Sequence, residues 1–155
     1  MSLNNKILVA YYSRSGKTKI VAKKLAEKLG ADCEEIIDKA NYKGIFGFIK
    51  GGYTAAKHKS TNIEPLKHNP EQYDLVVLCS PMWAGNIAPA LVALCDKYTL
   101  PKVAWVITCA NSSNNINQFP TPKDSMVAYA KFGQKQINNN EIDKDLDEFV
   151  RDIKR

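Results

Sequence analysis

Two patterns of hydrophobic and polar positions alternate along the chain: short unbroken apolar runs, and stretches in which apolar residues recur at helical spacing. Lys6 to Ser13 is a run of the first kind that ends abruptly in polar residues, which predicts a strand buried on both faces. From Thr18 to Leu29 the positions Val21, Leu25 and Leu29 recur every fourth residue among Lys and Glu, and Gly30 stands where a helix stops. The opening therefore reads strand, tight turn, helix.

Asp32 to Ile37 can form a second strand. A long segment from Asp38 to Asp74 follows, with helical potential in its middle, around Ile45 to Lys57. Leu75 to Cys79 is a third apolar strand, and Ala88 to Tyr98 carries Leu91, Leu94, Cys95 and Tyr98 at helical spacing. Lys102 to Cys109 is a fourth strand; Asn111 to Asp124, rich in Asn, Ser and Pro, is a loop too short to hold a full crossover helix; Met126 to Phe132 is the last strand. Leu146, Phe149, Val150 and Ile153 mark a closing amphipathic helix.

Alternating strands and helices imply right-handed crossovers and a parallel sheet covered on both faces. The expected architecture is an α/β, three-layer, doubly wound five-stranded sheet of order 2-1-3-4-5, in which ligands sit beyond the carboxyl ends of the strands at the switch between strands 1 and 3. The chain has 155 residues and 45% hydrophobic content, enough for one packed core, so residues 1–155 are expected to form a single domain. The N-terminal region lacks the charged and apolar segments of an export signal, and no apolar run approaches the roughly 20 residues of a membrane span, so a cytoplasmic protein without membrane contact is expected. Cys33, Cys79, Cys95 and Cys109 form no C-x-x-C pair, which argues against zinc, an iron–sulfur cluster or a thioredoxin-like motif and for reduced, mostly buried thiols. A net charge of +6 suits an anionic cofactor or an acidic partner; the lysines are scattered rather than clustered with aromatics, so no nucleic-acid surface is expected.

The doubly wound topology predicts unusual polar or glycine-bearing sequences after strands 1, 3 and 4, and they are there. The first is Ser13, Arg14, Ser15, Gly16, Lys17 and Thr18; the second is Pro81, Met82, Trp83, Ala84, Gly85 and Asn86; the third runs through Ala110, Asn111, Ser112, Ser113 and Asn114. Three hydroxyls and several N–H groups at a helix N-terminus have the chemistry of a phosphate cradle, although Ser and Thr before a helix are also ordinary caps. Trp83 adds a flat aromatic, and the third loop adds amide and hydroxyl groups able to hydrogen-bond a heteroaromatic edge. Together they describe a mononucleotide with a large flat ring.

Other nucleotide sites fit less well. The ending Gly16-Lys17-Thr18 resembles a P-loop, but Tyr11 stands where the first glycine is required, and strand 3 ends in Cys79-Ser80-Pro81 without an acid for magnesium. No G-x-G-x-x-G is present, and Ser13 and Ser80-Pro81 occupy the places where a phosphorylatable receiver domain needs acids. His58 and His68 lie outside the three loops and read as surface residues.

On these residues, above all YYSRSGKTKIVAKKLAE and YDLVVLCSPMWAGNIAPAL, the chain resembles the flavodoxin-like family over nearly its whole length. The resemblance implies FMN as cofactor. Ser13, Ser15 and Thr18 would give hydroxyls, and Arg14, Gly16 and Lys17 backbone N–H groups, to its phosphate. Trp83 would stack on the isoalloxazine with Ala84-Gly85 near flavin N5, and the third loop would border the pyrimidine end. Electron-carrier flavodoxins are usually acidic and often place an aromatic in the loop after strand 4; this chain is basic and has Asn and Ser there, which implies a less shielded ring open to a hydride donor or small acceptor. The segment Gly44 to Lys59, with Phe46, Phe48 and Tyr53, either covers the ring or packs as a core helix.

The implied function is FMN-dependent electron transfer, as a carrier or as an NAD(P)H or quinone oxidoreductase, with a redox protein or small molecule as partner and no catalytic triad, because the flavin supplies the chemistry. The alternative is a flavodoxin-like binding module without redox turnover that engages an acidic partner through its basic surface. A redox role for Cys79 and Cys109, at the ends of adjacent strands, is a weaker hypothesis.

Overall fold

In the computed structural model, which describes residues 5–39, 61–110 and 119–154, β1 (Ile7–Tyr11) lies inside a parallel sheet, hydrogen-bonded to β2 (Asp32–Glu35) on one side and β3 (Leu75–Trp83) on the other. All five β1 residues are buried because each face has its own cover. Ile7, Val9 and Tyr11 face one core, while Leu8 and Ala10 face the other, which explains why the sequence shows a continuous apolar run rather than an alternating one. Beyond β3 lie β5 (Lys102–Cys109) and β6 (Met126–Gly133), giving the order β2-β1-β3-β5-β6.

The five long strands thus run in the doubly wound order read from the sequence, but the sheet has six strands rather than five. The sixth is β4 (Asn86–Ile87), two residues antiparallel to the end of β3. The sequence reading ended strand 3 at Cys79 because a proline follows, whereas the chain stays extended through Pro81 to Trp83 and Pro81 keeps register with Thr108. Conversely, β2 stops at Glu35 instead of Ile37; Ile36 is buried, its N–H donating to the Tyr11 carbonyl at 2.7 Å, and Ile37 turns outward.

Helix α1 (Lys17–Leu29) and helix α4 (Asp143–Ile153) cover one face, burying Val21 and Leu25 with Leu146 and Phe149 against Val9, Val77 and Phe132. Gly30 closes α1 in the left-handed conformation (φ 63°), its N–H donating back to the last turn. Lys28 meets Asp147 at 2.9 Å across the two helices, an exposed pair that solvent and salt screen. On the other face α2 (Pro89–Lys97) buries Leu91 and Leu94 against Leu8, Leu78 and Ile107. The short α3 (Gln134–Asn138) follows β6 directly.

Phe119, ahead of β6, covers part of this second face. Phe119 packs at 5.5 Å from Trp105 and 5.4 Å from Tyr129, and the buried Trp105 indole N–H donates to Thr121 Oγ1 at 2.9 Å. A shift in register opposite Val103/Ala104 lets Met126 and Ala128 serve opposite faces of β6. The helical potential around Ile45 to Lys57 and the segment Gly44 to Lys59, with His58, lie outside the described residues. No helix among the described residues is long and apolar enough to cross a membrane.

The closing helix owes its position to Phe149, 2% exposed in the α1-side core. Phe149→Ala is expected to cost about 3–5 kcal/mol, read as a lowered midpoint in urea with a near-constant slope.

Candidate functional site

The carboxyl ends of β1, β3 and β5 open onto one cleft of about 190 Å³. Its first wall is the turn between β1 and α1. Ser13 Oγ accepts the Gly16 N–H at 3.0 Å, and Gly16 takes φ 98°, a conformation glycine adopts without strain; a Cβ there would meet open space, so the dihedral and not crowding selects glycine. The first intrahelical bond runs from the Ile20 N–H to the Gly16 carbonyl. The earlier N–H groups of α1 have no helical acceptor, no side chain caps them, and the first turn carries no acid. This end of the cleft therefore attracts anions, with Arg14 and Lys17 adding positive charge.

The second wall is a hairpin. Ala84 (φ 52°) and Gly85 (φ 76°) are both left-handed, the pattern of a two-residue turn matched to strand twist, and they fold β4 back so that Trp83 pairs with Asn86. Asn86 Nδ2 donates to the Ala84 carbonyl at 3.1 Å. Beneath it, the fully buried Ser80 hydroxyl donates to the Pro81 carbonyl at 2.8 Å and accepts the Ala88 N–H at 3.0 Å, tying the hairpin to the start of α2. Tyr12 meets the Trp83 ring edge-on, centroids 5.6 Å apart and planes at 84°, which fixes the indole at the mouth.

Thr108, Cys109 and Ala110 at the end of β5, with Gln134 and Ile137 of α3, complete the lining. Thr18 and Thr108 join the first and third walls by a hydrogen bond of 2.7 Å between their hydroxyls.

Of the residues singled out in the sequence, Arg14, Ser15, Lys17, Thr18, Pro81, Met82, Trp83 and Ala110 come together in the cleft. Ser13 and Gly16 shape the first turn, while Ala84 and Gly85 form the hairpin tip and Asn86 begins β4, a difference from the reading of this stretch as a loop. Asn111, Ser112, Ser113 and Asn114 lie outside the described residues. Sequence reasoning missed Thr108 and Cys109, although both end a strand recognised as the fourth, and missed Gln134 and Ile137, whose five-residue helix is too short to show periodicity.

Burial pushes the Cys95 thiol up to about 12 and raises those of Cys79, Cys33 and Cys109, the last two against opposing pulls from Lys23 and Lys131. All four cysteines are free, and at neutral pH they stay thiols, poor nucleophiles. Cys79 and Cys109 are not level: Cys79 pairs with Val106, while Cys109 pairs with Gly133 and donates to the Phe132 carbonyl at 3.7 Å. Desolvation, with Glu35 next, lifts the buried Tyr11 hydroxyl to about 12. His68 is half-buried; its Nδ1 lies 2.6 Å from Glu34 Oε1, and the same carboxylate accepts the Lys67 and His68 N–H groups. A second depression of about 400 Å³ lies there, between β2 and residues 64–68, but Glu34, its least exposed carboxylate, is already engaged. Among the described residues no cluster of His, Cys, Asp and Glu is arranged to hold a metal ion.

Residues 6–48 match the family model described as flavodoxin. A flavoprotein from Lactobacillus acidophilus NCFM in complex with FMN superposes with a TM-score of 0.68 at 22% identity, over 87% of this chain and 97% of that one. The fold is flavodoxin-like. A protein from Bacteroides eggerthii DSM 20697 shares this flavodoxin-like fold with a TM-score of 0.69 at 22% identity, covering 91% of this chain and 98% of that chain. An NADH:FMN oxidoreductase in its apo form follows at 0.58 and 13% identity, over 96% and 87%. No curated protein matches the sequence.

The hairpin tip holds an alanine where left-handed backbone costs an L-residue about 1–2 kcal/mol. Ala84→Gly should raise the melting temperature by about 2–4 °C, and Ala84→Val should lower it; differential scanning calorimetry of the two variants checks the turn geometry.

Proposed function

We propose that the cleft binds FMN and that the chain works as a flavodoxin-type redox protein, passing electrons between a donor and an acceptor. One observation carries the reading: an uncapped helix N-terminus behind a left-handed glycine and a tryptophan held edge-on by Tyr12 bound the same cleft, at the switch between β1 and β3. The donor set fits the cofactor. Backbone N–H groups and the one hydroxyl hydrogen that the Thr18–Thr108 pair leaves over suit a phosphate that only accepts hydrogen bonds, and Arg14 and Lys17 balance its charge. Trp83, Pro81 and Met82 offer the apolar surface that a tricyclic ring needs. The structurally similar L. acidophilus flavoprotein is seen with FMN, and the similar NADH:FMN oxidoreductase is named for it, which supports the same reading.

Bound FMN would supply the electron chemistry, in steps of one electron or two. The chain's own residues then have three tasks. The first turn of α1 anchors the anionic end, so that affinity comes from a part of the ligand that does not react. Trp83 excludes water from one side of the ring and fixes its plane. The hairpin carries backbone peptide groups past the mouth on a tip tied down by Ser80 and Asn86. The protonated thiols take no part.

Donor and acceptor follow from charge and access. A net charge of +6 favours a phosphate-bearing nicotinamide donor or an acidic redox protein, and Asn and Ser in place of an aromatic at Asn111 to Asn114 favour a small acceptor such as a quinone. Four free thiols suit a reducing cytoplasm.

Adding FMN to the purified protein should give perturbed flavin absorption bands and quenched fluorescence with one-to-one stoichiometry. Trp83→Ala should weaken binding by about tenfold to a hundredfold, the size of one lost aromatic stack. Anaerobic titration with dithionite and then with NADH or NADPH separates the roles: a one-electron-reduced spectrum indicates a carrier, and rapid two-electron reduction by the nucleotide an oxidoreductase. Unchanged flavin spectra at saturating protein would reject FMN binding.

A further inference from the structure

Thr18 and Thr108 are 90 positions apart in the chain, yet their side-chain oxygens meet at 2.7 Å, with the residues only 2% and 5% exposed. Two hydroxyls at this distance place one hydrogen between them: one donates, the other accepts, and the acceptor's own hydrogen must point elsewhere. In a buried setting that hydrogen needs an acceptor. Both residues line the cleft, so an acceptor bound in the cleft is within the reach of that hydrogen.

The two oxygens are not equivalent in position. Thr18 is the second residue of α1, beside the uncapped N–H groups of its first turn, while Thr108 sits on β5, level with Pro81 in the neighbouring strand. We propose, building on the FMN reading of this cleft, that Thr108 is a positioning residue for the anion end: its O–H donates to Thr18 Oγ1 and so turns the Thr18 hydrogen toward an acceptor lying against the helix N-terminus. A phosphate group presents acceptors alone and locks the pair in this one sense. A terminal hydroxyl, able both to donate and to accept, leaves the pair free to run in either sense. The hydroxyl pair therefore selects the phosphorylated flavin over its dephosphorylated counterpart, riboflavin, in addition to what charge contributes.

The test is fluorescence titration of FMN and of riboflavin into the full chain and its variants. Thr108→Val keeps the branched shape of threonine, and with it FMN affinity is expected to fall about tenfold relative to riboflavin. In a Thr18→Val background the further change Thr108→Val should move the FMN-to-riboflavin ratio less than twofold, because the group it positions is already gone. Thr108→Ser keeps the hydroxyl and should keep the wild-type ratio; Thr108→Ala repeats the loss should the valine variant fail to fold. Equal weakening of both flavins, additive losses in the double variant, or a lost ratio in Thr108→Ser would overturn the inference and assign Thr108 to packing alone. A wild-type protein that binds the two flavins equally would overturn it too while leaving the flavin site intact, and one that binds neither would remove both.

Discussion

The burial of β1 between two parallel neighbours is the constraint on which the rest of the molecule depends. Its five residues are covered on both faces, so the chain cannot end the strand among solvent on either side; it leaves at the carboxyl end, through Tyr12 and Ser13. The same register aligns Tyr11 with Cys79, and Pro81 of β3 with Thr108 of β5, so three strands finish within a few residues of one another. Their exits are the walls of the cleft. The glycine turn, the hairpin and the Thr18–Thr108 bond are local solutions to leaving a sheet whose faces are already occupied.

Such a site needs little ionisable machinery. The buried titratable groups of the sheet, the Tyr11 hydroxyl and the Cys79 and Cys109 thiols, are held in their neutral forms by desolvation. What remains polar at the cleft is mostly backbone and hydroxyl, with cationic side chains from the first turn. That is the chemistry of a binding site for an anionic, flat ligand carrying its own reactivity, and it matches the proposal that electrons move through FMN rather than through a side chain.

Much of this was legible in the sequence because burial on both faces leaves an unmistakable apolar run: β5 was read at its observed bounds, and α1 within one residue of its start. Trp83 and the turn around Gly16 could be placed from the topology alone, since a doubly wound sheet dictates where its exits lie. The hairpin was not legible. Pro81 signals a stop, Ala84 is not a residue expected in a left-handed turn, and a strand of two residues has no period to detect. Gln134 and Ile137 escaped for the same reason, and Thr108 because a threonine inside a strand reads as packing until its partner 90 residues away is known.

Where the phosphate and the ring lie is read most directly from two-dimensional ¹H–¹⁵N spectra of the labelled chain with FMN and with riboflavin. FMN is predicted to shift the backbone amides from Ser15 to Lys19 together with the Trp83 indole N–H, and riboflavin to shift the indole while leaving those amides nearly unmoved. Shifts gathered instead around Glu34 and residues 64–68, or amides at the start of α1 that ignore the phosphate, would contradict the proposed site.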